Sequence, residues 1–115
     1  MRLTSEMFVS ALTRRVFNAG DFAAVEHKGH ETAGAIFIRQ RLRNGLVNLY
    51  GPAPQNLAAD DFERSERRFE LRLKAVEQDE ADQLIAKERR FDSDLWLIEL
   101  EVETVDGLFD VVSDG

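Results

Sequence analysis

The 115-residue chain has no cysteine, and this absence excludes disulfide frameworks, thiol catalysis, iron–sulfur clusters and cysteine zinc sites. No apolar run approaches the ~18 residues that a membrane helix needs. The N-terminus has one basic residue followed by Glu6, which is not the pattern of a secretory signal. Glycine-rich phosphate loops and the Gly-x-Ser-x-Gly nucleophile elbow are also missing. We therefore expect a cytoplasmic protein, with no cofactor and no catalytic motif.

Charge is unevenly distributed along the chain. The formal net charge is −7. Residues 1–50 carry seven Lys/Arg against four Asp/Glu, which gives +3, whereas residues 51–115 carry eight against eighteen, which gives −10. The acidic total argues against general binding to nucleic acids or anionic membranes. The asymmetry still leaves room for a local basic face.

Periodicity predicts two helices. Apolar residues recur at helical spacing over residues 6–19, with Ser5 as the cap and Gly20 just past the end, although a strand over 8–14 is the alternative. A second helix is predicted over residues 80–90, with Asp79 as its cap. Both prolines lie in residues 51–66, which predicts a long surface loop within one domain.

The remaining segments predict strands. Alternation of apolar and polar residues predicts five strands, over residues 22–28, 33–43, 46–50, 68–73 and 95–103. The last strand is predicted to continue after a turn at 106–107, over residues 108–112. Clean alternation is typical of an antiparallel sheet with one wet face. The predicted fold class is α+β, with a single-layer antiparallel sheet of about five strands packed by two helices on its other face.

Asn44-Gly45 is the strongest short hairpin signal in the chain. A two-residue type I′ turn there would place Arg39 opposite Tyr50. One face of the hairpin would then carry three arginines with Asn48 and an aromatic ring, which suits phosphate and base binding. The candidate ligand-binding residues are Arg39, Arg41, Arg43 and Tyr50.

The alternative is that this arginine row pairs within the sheet. Glu99, Glu101 and Glu103 alternate with the same period and opposite sign, and each cross-strand pair contributes about 0.2–1 kcal/mol. The two interpretations differ in one observable, which is whether the glutamate strand lies beside the hairpin.

Other polar groups give weaker signals. His27 and His30 have no obvious third ligand and are interpreted as surface residues, so no metal site is predicted. Aspartates at 60–61 and at 92 and 94 are interpreted as turn residues. Trp96 is expected to anchor the core.

Four stretches, at residues 8–15, 33–38, 49–55 and 91–101, occur in a familiar order and spacing. They resemble a short alphaproteobacterial family of unknown function, domain of unknown function 1491. The most specific parts are the Tyr-Gly-Pro-Ala-Pro run beginning at Tyr50 and the Asp-x-Asp-Leu-Trp run ending at Trp96, whereas Phe8 and Ser93 depart from the family pattern. The resemblance implies a cytosolic bacterial protein of one domain and brings no activity, substrate or cofactor.

Three functional hypotheses follow. The first is a non-enzymatic protein-interaction module that offers the 51–66 loop or an exposed hairpin edge to a partner protein. The second is RNA or nucleotide-phosphate binding through the arginine row. The third is a small hydrolase or isomerase whose site carries no recognised motif. No membrane partner is expected, and the sequence does not predict the oligomeric state.

Overall fold

The computed structural model describes residues 3–54 and 67–112. Within these ranges the chain forms two helices and six strands; in chain order they are α1 Ser5–Asn18, β1 Phe22–His27, β2 Ile36–Arg41, β3 Val47–Pro52, β4 Arg68–Val76, α2 Gln78–Phe91, β5 Trp96–Glu101 and β6 Asp110–Val111. Every predicted element is present, with ends that differ by a few residues. Most of the predicted 51–66 loop lies outside the described residues, and its first two residues belong to β3.

The strands of the described ranges form one mixed sheet in the order β1-β5-β2-β3-β4-β6. Strands β2 and β5 are parallel, as are β4 and β6, whereas the other three neighbouring pairs are antiparallel. The α+β class is thus confirmed, but the purely antiparallel sheet of about five strands is wrong. The physical reason is that α2 carries the chain back across the sheet, so that β5 enters beside β2 in the same direction.

Helix α1 packs on one face of the sheet. Its Val9, Leu12 and Val16 are buried against Ile38 and Ile98. The helix ends in a Schellman motif, because the Gly20 N–H donates to Phe17 O and the Asp21 N–H donates to Val16 O, with Gly20 at φ +85°. The predicted helix is confirmed, but its cap is Thr4 rather than Ser5.

Helix α2 packs on the opposite face. Its Ile85 is buried against Phe37 and Leu97, whose side chains alternate with those that contact α1. The expectation of one wet face is therefore wrong, since both faces are covered. Helix α2 begins two residues earlier than predicted, after Glu77, whose side chain makes no capping hydrogen bond. Neither helix of the described ranges has the length and apolarity to cross a membrane.

The loop between β2 and β3 has three residues, 43–45, instead of the predicted two. Leu42 N donates to Leu46 O at 2.9 Å, and the Gly45 N–H closes a turn to Leu42 O at 3.0 Å. Only Gly45 of the three loop residues has a positive φ, at +86°, so the loop is a three-residue turn with a glycine bulge rather than a type I′ turn. Ile38 is consequently opposite Tyr50, and Arg39 is opposite Leu49.

This one-residue difference exchanges the faces of every β3 side chain. The prediction that Asn48 and Tyr50 share the arginine face is therefore wrong. Those two side chains lie on the α1 side of the sheet with Gln40. The arginine face instead carries Val47 and Leu49.

Candidate functional site

The predicted site is centred on Arg39, whose side chain is only 5% exposed. Its guanidinium donates in three directions: Nε to Glu99 Oε1 at 2.9 Å, Nη1 to Asp82 Oδ1 at 3.0 Å, and Nη2 to Glu26 Oε1 at 2.5 Å. These carboxylates come from β5, α2 and β1 respectively. One buried cation thus ties three other elements to β2.

The rest of the arginine row is also paired. Arg41 Nη2 lies 3.4 Å from Glu99 Oε1 and donates to Gln78 Oε1 at 3.1 Å. Arg43, whose side chain is 89% exposed, forms an ion pair with Glu103. The hypothesis that the glutamate strand is the neighbour of β2 is confirmed, because the parallel register places Arg39 directly beside Glu99.

The charge ordering follows from the register. Residues of β2 and β5 two positions apart share a face, so alternating arginines meet alternating glutamates. Glu99 keeps only 9% of its side chain exposed and tolerates this burial because two guanidinium groups face it. The charge periodicity of the sequence indicated this pairing of arginines with glutamates. It did not indicate that α2 would bury the pair.

Tyr50 belongs to a different environment. Its ring packs edge-on against Phe109, with 5.3 Å between ring centroids, and its hydroxyl lies 3.4 Å from Gln40 Oε1. Gln40 in turn accepts from Asn48 and donates to Val102 O. Burial raises the pKa of the Tyr50 phenol above its ordinary 10.0, a hydrogen bond from Asn48 opposes this shift, and the charge of Asp106 adds to it. The structure therefore does not bring Tyr50 to the arginines.

A cleft of about 1000 Å³ lies where the parallel strands β2 and β5 end, next to the C-terminus of α1. Arg41 and Arg43 line it together with Glu101, Glu103 and Asp106. The guanidinium groups in this wall are already matched by carboxylates, and acidic groups outnumber them. The cleft accordingly offers no accumulation of positive charge to an anion.

The two histidines are engaged locally. His27 Nδ1 lies 2.8 Å from Leu95 O, and His30 Nδ1 accepts from the backbone N–H groups of residues 32 and 33. The His30 carbonyl accepts from Trp96 Nε1 at 2.8 Å, which fixes the buried indole in the core as predicted. Over residues 3–54 and 67–112, no three histidine, aspartate or glutamate side chains come together as a potential metal site.

The aspartates near the end of α2 serve a turn, as predicted. The Asp94 N–H donates to Asp92 Oδ1 at 3.0 Å. Asp60 and Asp61 lie outside the described residues.

The sequence did not single out the free side of β1. Strand β1 is the first strand of the sheet and pairs only with β5 within the described residues. Phe17, Phe22 and Val25 near it are each about half exposed, between 46% and 52%, and the two rings meet edge-to-face with 5.9 Å between centroids. We call these three residues the edge patch. The short, mixed sequence of β1 gave no sign that it would lie outermost.

Comparison with known proteins places these features in a family. A family model described as a protein of unknown function, DUF1491, matches residues 3–110. The solution structure of an Agrobacterium tumefaciens protein has 62% identity over 100% of this chain and 98% of its own, with a TM-score of 0.87. Two structures of DUF1491 family proteins from Caulobacter crescentus each have 27% identity over 98% of this chain. The match spans 100% of the chain in the crystal structure, with a TM-score of 0.76, and 99% of the chain in the NMR structure, with a TM-score of 0.78. No curated protein matches the chain significantly.

Proposed function

Since the chain belongs to the DUF1491 family, which has no assigned activity, we propose from its geometry that it is a non-enzymatic protein-interaction module. The observation that carries this proposal is the free side of β1, together with the exposed edge patch. An unpaired strand edge presents backbone donors and acceptors that another chain can satisfy. The predicted hairpin edge does not serve this role, because β2 and β3 both have neighbours on each side.

The pairing of the buried charges and the clustering of the exposed rings both support the proposal. The buried charges that could take part in chemistry, Arg39 and Glu99, are committed to structural pairs that link β1, β2, β5 and α2. Exposed aromatic rings clustered beside a strand edge are more typical of a contact surface than of a monomer surface in which apolar residues are scattered singly. Phe17 and Phe22 therefore mark the expected position of the partner.

A photo-crosslinking residue at Phe22 in cells that make the protein tests the proposal, with the same residue at Phe91 as the matched control. Phe91 is 83% exposed but lies at the end of α2, just before β5 begins, whereas Phe22 is opposite Glu101 at the far end of β5. We expect a defined protein adduct from position 22 that position 91 does not give.

The captured protein, once purified, should bind the wild-type chain directly. Phe22→Lys should weaken this binding about 30-fold, as for a central aromatic contact, while Phe91→Lys should leave it unchanged. Absence of any adduct from position 22, together with a chain that stays monomeric at high concentration, would overturn the proposal.

Binding of RNA or nucleotide phosphate, predicted for Arg39, Arg41, Arg43 and Tyr50, stays a prediction. Arg41 and Arg43 are the members that a ligand could reach, because Arg39 is buried and Tyr50 lies on the α1 side of the sheet. The observation that favours it is the exposure of Arg43 at the rim of the cleft. A fluorescent RNA oligonucleotide should then bind with steep salt dependence, and Arg41→Glu should weaken the binding. Equal affinity of wild type and Arg41→Glu would refute it.

A further inference from the structure

The side chains around the free side of β1 indicate which kind of segment would bind there. We infer that the partner presents an extended segment that lies beside β1 as an additional strand, with aliphatic and basic side chains in alternation. This inference rests on the proposed function and specifies its partner.

The two faces beside the free edge differ in character. Ala23 is buried in the core under α1, and Val25 lies on the same side of the strand, so the α1 side is apolar. Phe22, Ala24 and Glu26 lie on the α2 side, where Glu26 reaches Arg39 and where Phe22 and Ala24 are opposite Glu101 and Glu99. A strand placed beside β1 would thus meet apolar groups with one set of alternate residues and a carboxylate with the other.

The charge around this edge is predominantly negative. Asp21 precedes β1 and Glu26 lies within it, and both are exposed; Glu101 is the exposed cross-strand partner of Phe22. Lys28 is the nearest basic residue that follows the strand. Helical spacing turns Arg14 away from the sheet and puts Arg15 on the flank of α1 shared with Phe8, which packs on Phe69 in β4 rather than near β1.

The strand itself has few of the features that prevent edge pairing. Residues 22–25 contain no proline and no charged side chain. A bulge between Val25 and His27 interrupts the register with β5 and limits the regular edge to its first four residues. A second copy of the chain is a poorer occupant, because each copy carries a net charge of −7 and would bring the same carboxylates to the interface.

A synthetic peptide of alternating lysine and valine, nine residues long, tests the inference on the full chain by NMR titration. Backbone signals of residues 22–26 should shift, and their amides should exchange more slowly. A peptide of alternating glutamate and valine should bind at least about tenfold more weakly. A peptide with the same lysines and valines in two separate blocks should also bind more weakly, because its side chains no longer sort onto two faces.

Methylation of alternate backbone amides in the peptide separates strand addition from simple charge attraction. An added strand donates with every second N–H, so one of the two alternately methylated peptides should lose about tenfold in affinity and the other should keep it. Equal binding of both methylated peptides would overturn the inference.

Two variants of the protein complete the test. Glu26→Gln should weaken the lysine–valine peptide about threefold. Asp82→Asn removes another half-exposed carboxylate from the same Arg39 but lies on α2, and it should have no effect. Equal weakening by both variants would contradict the edge position of the contact.

Two outcomes would overturn only the chemistry assigned to the partner. One is concentration-dependent self-association that protects the amides of residues 22–26 without peptide, which assigns the edge to a second copy. The other is no peptide binding while the crosslink at Phe22 persists, which leaves the interaction module standing.

Discussion

Replacing Arg39 by methionine should cost about 3 kcal/mol of unfolding free energy. The variant leaves Glu99 with 9% of its side chain exposed and with Arg41 at 3.4 Å as its remaining ion-pair partner in the described part of the chain. Breaking a buried pair from one side costs about 3–5 kcal/mol. The lower end applies because Glu26 and Asp82 are 42% and 52% exposed and regain water when Arg39 is lost.

Urea unfolding followed by the fluorescence of Trp96, the single tryptophan, measures this loss. With a slope of about 1.5 kcal/mol per molar urea, the midpoint should fall by about 2 M. Arg43→Met is the matched control from the same row; it removes an exposed pair and should change stability by about 0.5 kcal/mol or less.

The double variant Arg39→Met/Glu99→Leu separates charge from packing. Removing both partners abolishes the uncompensated carboxylate, so we expect recovery of about 2 kcal/mol relative to Arg39→Met alone. The reasoning is refuted if Arg39→Met costs less than about 1 kcal/mol, or if the double variant is no more stable than the single one.

Three further predictions concern the packing around this sheet. Gly29→Ala would place a methyl group 2.1 Å from the Asp94 backbone oxygen and should lower the free energy of unfolding by about 2–3 kcal/mol, whereas no change would contradict the close approach. Ser5→Ala removes a buried donor to Gly34 O at 2.6 Å and should cost about 1–2 kcal/mol in the same urea assay; a loss below 0.5 would show that this bond does not matter. The phenol of Tyr50, the single tyrosine, should ionise above pH 10.0 in the folded protein. Its stabilising contribution is therefore complete below the pKa of the unfolded chain and is lost as pH rises through the pKa of the folded protein. An ultraviolet titration midpoint at or below 10.0 would refute this prediction.

Local signals in the sequence were sufficient for the elements. Helix α1 and its Gly20 terminus follow from apolar spacing and from the tolerance of glycine for positive φ. The error at the β2–β3 turn was also local. Asn44-Gly45 suits both a two-residue and a three-residue loop, and the difference of one residue moves Tyr50 to the other face of the sheet.

The arrangement of the strands could not be derived in the same way. Alternation in β5 was interpreted as a wet face, because Glu99 and Glu101 are polar. The neighbouring arginines neutralise Glu99, which lets α2 cover that side. Charge periodicity predicted the pairing of these strands correctly, but pairing gives no information about direction or about which strand is outermost. The free side of β1 is therefore visible only in the completed sheet.

The parallel contact between β2 and β5 also sets the order in which a nascent chain can acquire structure. Arg39 and Glu99 are 60 residues apart, and β1 likewise has β5 as its neighbour. Until β5 has left the ribosome, β1 has no neighbour in the sheet and β2 has only β3, whereas the antiparallel ladders β2–β3 and β3–β4 can already form. Truncation before Trp96 should consequently yield an aggregation-prone product rather than a smaller folded unit.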